Sequence, residues 1–362
     1  MPVLLAVPLG IGGAVLVLGT VLSAAQTLAV PRGTPVTITR WVFVAWGLLF
    51  GLVRRSRDAD RQDRVLALYA PISLLSLPMV WLGLLGLGFA AIYLATGQPW
   101  RDALLESGSS LFTLGFRAPS SGLTAVCVFL EALLGLALLA LLVSYLPSIY
   151  SSYSRREAMV TSLETQAGSP PSAANLLVRL TRIDGLQETD PFWWSWARWF
   201  AEIEETHTTA PSLVFFRSPQ PARSWVTAAG AVLDAAALVS SVLDLPRCPA
   251  AELCIRSGYL ALRRIGDYFV MSYEPDPAPD DPIAVDRAEF DAVCDALAAS
   301  GAPLRADRDQ AWRDFAGWRV NYDQVLLRFA SLCAAPTAPW SGDRPLPFHR
   351  APIARHTARS RL

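Results

Sequence analysis

The chain has 362 residues, 52% of them hydrophobic and only 17% charged, with 31 basic and 31 acidic residues that cancel. A globular protein is nearer a quarter charged. The deficit is concentrated in the first 150 residues and so marks a membrane region, and the balanced charge gives no electrostatic footprint for nucleic acid. All 31 basic residues are arginine, in keeping with GC-rich codon usage. Five cysteines, at 127, 248, 254, 294 and 333, form no C-x-x-C pair and no zinc spacing. No acid–base pair, nucleophile or metal set stands out, so neither an enzyme nor a cofactor is expected.

Residues 3–30 are almost wholly apolar or small, and about 20 such residues span a bilayer. Ser23-Ala24-Ala25 imitates a signal-peptide cleavage site, but the stretch is too long and lacks a basic start, so a retained span is expected. After Pro31, Gly33 and Pro35, residues 36–53 form a short second span, with Arg40 placed to snorkel and Trp41 and Trp46 flanking it. Arginines from Arg54 to Arg64 follow. Residues 65–96 are a third apolar run, containing Pro71, Pro78 and several glycines of the kind that neighbouring helices accommodate. A polar piece, 97–122, separates it from a last span at 123–147, which ends on Pro147 and precedes Arg155-Arg156. The basic flanks at 54–64 and 155–156 place both in the cytoplasm, with both termini inside and 97–122 outside.

The polar piece carries the chemistry. Trp100 to Leu111 is a short helix-compatible stretch whose Asp102 and Glu106 suit no full span, and Thr113-Leu114-Gly115-Phe116 and Arg117 follow it. Helix, re-entrant helix, extended tetrapeptide and helix is the plan of a pore loop. Non-helical backbone is tolerated at membrane depth only where protein shields it or it lines water. A dehydrated cation needs replacement oxygens, and backbone carbonyls supply them without a fixed charge. Gly115 permits the unusual dihedrals that aim carbonyls at one axis. Leu114 is expected to point away and pack, Phe116 to brace the loop against the pore helix, and the helix C-terminus to favour cations. An ordinary extracellular loop is the rival reading. Glu131 lies inside the last span, where ionisable residues are costly and usually functional. It is expected to support the hydroxyls of Ser109 or Ser110, and Gly135 is a candidate hinge.

The run from Ser109 to Phe116 resembles the potassium-channel pore signature T-x-G-[YF]-G. With Tyr145-Leu146-Pro147-Ser148-Ile149-Tyr150, Ser154-Arg155-Arg156-Glu157, the stretch from Ala167 to Ala173, Glu205-x-His207 and Phe216-Arg217-Ser218, the chain resembles a bacterial, actinobacterial-type family of pore-loop ion-channel proteins, similar to potassium and two-pore-domain channels. The likeness covers roughly residues 65–265. It implies a plasma-membrane channel with K+ as permeant ion and Thr113, Leu114, Gly115 and Phe116 as the filter. One loop per chain requires a homotetramer to close the carbonyl rings. The sequence departs from the signature at Arg117, which stands in place of the second filter glycine. Four arginines at a pore mouth repel cations, so a non-conducting scaffold or sensor is the alternative.

Beyond residue 150 the chain reads as helical. Residues 223–245 look like a fifth span or, with Asp234 inside, a buried helix. The cluster from Phe192 to Phe200 is either an interfacial belt or a core helix. Glu202, Glu204, Glu205 and His207 read as a solvated acidic face. Residues 271–283 read as a linker, and helical periodicity recurs over 286–299 and 306–333, with Trp312, Phe315, Trp318, Tyr322, Leu326 and Phe329 forming one stripe. The expected fold is an all-α membrane protein with four transmembrane helices, a re-entrant pore helix and a helical cytoplasmic domain. Its divisions are 1–64 (transmembrane hairpin), 65–150 (pore module), 151–270 (helical domain), 271–333 (linker and C-terminal helices) and 334–362 (disordered basic tail). The tail, with Arg344, Arg350, Arg355, Arg359 and Arg361, is placed either to touch anionic lipid or to stay solvated.

Overall fold

A computed structural model describes residues 3–28, 37–53, 65–344 and 346. Its named elements are all helices, and among the described residues the one β-bridge pairs Leu243 with Leu304. The chain divides into two compact units, 1–153 and 154–362.

The first unit contains α1 (Val3–Leu28), α2 (Thr37–Val53), α3 (Tyr69–Ala95), α4 (Trp100–Leu111) and the start of α5 (Gly122–Ala167). Of these, α1, α3 and α5 are long and apolar enough to cross a membrane. The α2 helix has 17 residues, about 25 Å of axis, short of the roughly 30 Å hydrocarbon core. Among the described residues three helices are long and apolar enough to be candidate spans, and the expected second span at 36–53 corresponds to the shorter α2. The arginines of 54–64, on which the expected orientation leaned, lie outside the described residues. Backbone contact joins α1 to α3: a Cβ on Gly13 would lie 2.5 Å from the Gly88 carbonyl oxygen, and one on Gly88 would lie 2.7 Å from Val17 Cγ2. Small residues at such a crossing let two helices gain van der Waals contact where lipid offers no hydrophobic drive. Polar ties add to it, as Trp46 Nε1 donates to Ser76 Oγ at 2.8 Å and Tyr69 Oη to the Phe43 carbonyl at 3.0 Å. Pro147 ends nothing, because α5 continues through it to Ala167.

The second unit holds α6 (Ala173–Arg182), α7 (Asp190–Thr209), a 3-10 turn (Pro211–Phe215), α8 (Trp225–Ser241), α9 (Pro249–Tyr268), α10 (Arg287–Ala299), α11 (Arg308–Arg319) and α12 (Asp323–Leu332). Its centre is α8, buried from Trp225 to Val239 and covered by α6, α9, α11 and α12. A helix apolar on every side is either a core helix or a span, and here the covering helices make it core. Helices from both sides of the 271–283 segment share in that covering. Trp193, Trp196, Trp199 and Phe200 are buried, which makes the aromatic cluster core as well, with Trp194 left exposed. Phe315, Tyr322, Leu326 and Phe329 are fully buried members of the expected stripe.

Two arginines sit inside this core. Arg319 is fully buried; it pairs with Asp234, donates to Asp323 at 2.8 Å and to the Trp340 carbonyl at 2.6 Å, and Tyr322 Oη donates to Asp234 at 2.9 Å. Arg156 donates to Glu157 at 2.7 Å, to the Leu213 and Phe216 carbonyls at 2.8 and 2.6 Å, and lies 3.2 Å from His207 Nε2. His207 is therefore a core residue, not part of a solvated face, and burial followed by the Arg156 charge holds it well below the usual histidine range. The segment 334–344, expected to be disordered, packs instead. Trp340 is buried against Phe315, and Arg344 pairs with Glu289 and Asp343. The basic residues beyond 346 lie outside the described residues.

Candidate functional site: the loop between α4 and α5

The α4 helix is short because Pro99 in extended backbone stands at its start and left-handed backbone at Thr113 and Gly115 follows its end, and it lies against both long helices that flank it. Ser107 Oγ is 2.9 Å from the Gly86 carbonyl of α3. Ser110 Oγ donates to the Val128 carbonyl of α5 at 2.6 Å. A Cβ on Gly135 would lie 2.5 Å from the Leu111 carbonyl oxygen. Gly135 thus marks the point where the end of α4 meets α5, a close approach that excludes a side chain, whereas the sequence suggested a hinge. That point is thirteen residues past the start of α5, about 20 Å along its axis. With twelve residues, about 18 Å of axis, α4 is shorter than a roughly 30 Å hydrocarbon core.

From there the chain returns through the loop 112–121. Thr113 (φ +56°) and Gly115 (φ +70°) are both left-handed, with Leu114 between them. Left-handed backbone is uncommon for a β-branched residue such as threonine. The alternation has a direct result: four consecutive N–H groups converge on one residue. Leu114 N and Gly115 N donate to the Ser109 carbonyl at 2.8 and 3.5 Å, and Phe116 N and Arg117 N donate to Ser109 Oγ at 3.1 and 3.3 Å. Convergence of this kind is the geometry of a backbone nest. In a trans peptide the N–H and the preceding C=O point opposite ways. The carbonyls of Thr113, Leu114, Gly115 and Phe116 consequently point away from Ser109, and among the described residues they accept no hydrogen bond. Four neighbouring oxygens of partial negative charge can coordinate a dehydrated cation. The described residues contain no group of three or more His, Cys, Asp or Glu side chains suited to a metal.

The side chains differ from expectation in three places. Leu114 is 64% and Phe116 58% exposed, so neither packs on α4; with the N–H groups held on Ser109, these side chains turn outward. Arg117 does not stand unpaired at the mouth but forms an ion pair with Asp102 in the first turn of α4. Glu131 is fully buried, and its carboxyl takes Ser107 Oγ at 2.6 Å and Tyr93 Oη at 2.9 Å. Ser107, which the sequence reading passed over, is thus the closest serine partner, with Ser110 near the same carboxyl and Ser109 committed to the loop. Ser107 lies four residues before Leu111, on the same helical face as the buried Ala103 and Ser110, and that spacing is the signal that could have found it. Just before the N-terminal end of α4, Gln98 Nε2 donates to Glu106 at 2.8 Å and to Ser120 at 3.1 Å.

No protein-family model, curated protein or solved structure matches the chain. The likeness to potassium-channel signatures rests on the residues of the sequence alone.

Proposed function

We propose that the chain is a pore-loop cation channel, potassium-like, in which four copies bring their loops together around one axis. The observation that carries this reading is the tie of four consecutive N–H groups to Ser109, which turns the carbonyls of Thr113 to Phe116 outward. Non-helical backbone at membrane depth needs protein or water against it, and a ring of identical loops around a water-filled path supplies both. A single chain offers one quarter of such a ring, so the reading requires a homotetramer. The ion pair with Asp102 supports conduction, since it balances the guanidinium that otherwise repels cations at the mouth.

A second reading keeps the architecture without conduction, as a membrane scaffold or sensor. What favours it is Arg117 itself, a bulky residue where the signature has glycine. Potassium and sodium flux into liposomes, with Arg117→Gly in parallel, separates the two. Potassium flux above sodium and above empty vesicles is the expected result. Silence of both proteins in intact tetramers would leave the scaffold reading, and a stable monomer with no larger species would sink the channel.

A further inference from the structure

The N–H groups that converge on Ser109 reach two different atoms of it. Leu114 N and Gly115 N donate to its carbonyl, at 2.8 and 3.5 Å. Phe116 N and Arg117 N donate to its hydroxyl oxygen, at 3.1 and 3.3 Å. The first half is an ordinary helix ending. Thr113 N donates to the Ser110 carbonyl at 2.9 Å and Leu114 N to the Ser109 carbonyl. These are the paired bonds of a Schellman motif, with left-handed Thr113 just past the helix. Any residue at 109 brings the carbonyl for it. The second half needs a side-chain acceptor at this position, and the buried Ser109 supplies one.

Each N–H shares a peptide plane with the carbonyl before it. The Ser109 carbonyl therefore sets the oxygens of Thr113 and Leu114, and the Ser109 hydroxyl sets those of Gly115 and Phe116. Gly115 is left-handed, yet a glycine left to itself takes either sign of φ about equally readily. The plane that follows it is thus the one most in need of an external hold, and Ser109 Oγ holds it. The placement of α4 does not depend on this hydroxyl. Ser110 Oγ donates to the Val128 carbonyl of α5 at 2.6 Å, and Ser107 Oγ lies 2.6 Å from the Glu131 carboxylate. Removing the Ser109 hydroxyl frees two oxygens and leaves the helix anchored.

We propose that, on the channel reading above, the Ser109 hydroxyl is the positioning group that fixes the Gly115 and Phe116 carbonyls and so sets the preference for potassium over sodium. Sodium is the smaller ion, and oxygens must close further to replace its water. Oxygens tied back through their own peptide planes do not close; freed ones do.

The test uses the full chain in liposomes, with potassium and sodium flux measured for wild type, Ser109→Ala, Ser109→Cys and Ser109→Thr. Ser109→Ala is expected to lower the potassium-to-sodium ratio about fivefold or more, the scale of one lost neutral hydrogen bond. Ser109→Cys keeps the shape with a poorer acceptor and should act in the same direction, which covers a failure of Ser109→Ala to assemble. Ser109→Thr keeps the hydroxyl and should hold the ratio within about twofold of wild type. Amide hydrogen exchange, resolved to single residues, should rise about threefold or more at Phe116 and Arg117 in Ser109→Ala and stay unchanged at Leu114. A wild type that carries no potassium removes the channel reading and this role together. A selective wild type whose ratio survives both Ser109→Ala and Ser109→Cys overturns this role alone. Unprotected Phe116 and Arg117 amides in wild type overturn it too, as does a ratio lost equally in Ser109→Thr, which would assign the effect to packing.

Discussion

The two units bury opposite things. In the first, large apolar side chains face outward along α5, with Val126 64% and Phe129 75% exposed, while a polar line of Glu131, Ser107, Tyr93 and Ser110 is enclosed between helices. In the second, tryptophans and α8 fill the centre, and most acidic and basic side chains lie outside, apart from two arginine clusters. The same rule produces both arrangements, since each helix turns toward its surroundings the face those surroundings solvate best. The lesson is that buried polar groups need local satisfaction in either setting. In the first unit hydroxyls and backbone do it, and in the second whole ion pairs do.

That contrast can be broken most severely at Arg319. Arg319→Leu strips the buried Asp234 of its countercharge, and breaking a buried pair in this way costs about 3–5 kcal/mol. Chemical denaturation is expected to show the second unit unfolding first, and a loss below about 1 kcal/mol would mean the pair is not enclosed. In the membrane unit the matching blow is steric. Gly88→Val pushes a side chain toward Val17 and the Gly13 backbone, with overpacking of about 1–3 kcal/mol expected and a lower thermal midpoint in detergent as the readout.

A pH series sharpens the comparison. His207 is held neutral, below the unfolded value of about 6.5, and its Nε2 faces a guanidinium N–H. As pH falls, the unfolded chain takes the proton first. The stability that the neutral ring contributes is therefore complete above about pH 6.5 and drains below it, at up to about 1.4 kcal/mol per pH unit. Urea midpoints at pH 7.5, 6.5 and 5.5 should trace this fall, with a shallower slope in His207→Gln. The smallest effect is expected at the partly exposed Arg117–Asp102 pair. Asp102→Asn should change stability by less than about 1 kcal/mol; on the channel reading proposed above, it should also lower cation flux by freeing the guanidinium.

The short helix from Trp100 to Leu111 was legible in the sequence, because twelve residues of mixed polarity between two long apolar runs have few other places to go. So were α10, α11 and α12, whose apolar stripe recurs at helical spacing. What stayed hidden depends on residues far apart in the chain. Asp234 and Arg319 are 85 positions apart, and no local pattern pairs them. The segment 334–344 has the composition of a disordered tail, and only the contacts of Trp340 with Phe315 and of Arg344 with Glu289 order it. In the loop, the residue types suggested carbonyls aimed at one axis, but that Ser109 alone gathers the N–H groups is a matter of geometry. Exposed Leu114 and Phe116 show the limit of carrying a motif over by letter: the tetrapeptide predicts a backbone, and its side chains answer to their neighbours.

The central position of α8 has a consequence for synthesis. Seventeen mostly apolar residues around one buried aspartate leave the ribosome well before α11 and α12, which finish their cover. At about 5–20 residues per second, Asp234 waits roughly 4–17 s for Arg319 to be made. Through that interval the helix, with only α6 and α9 able to cover it, is a half-covered hydrophobic segment emerging after several membrane-seeking ones, and the nascent chain needs a chaperone, or speed, to keep it from following them.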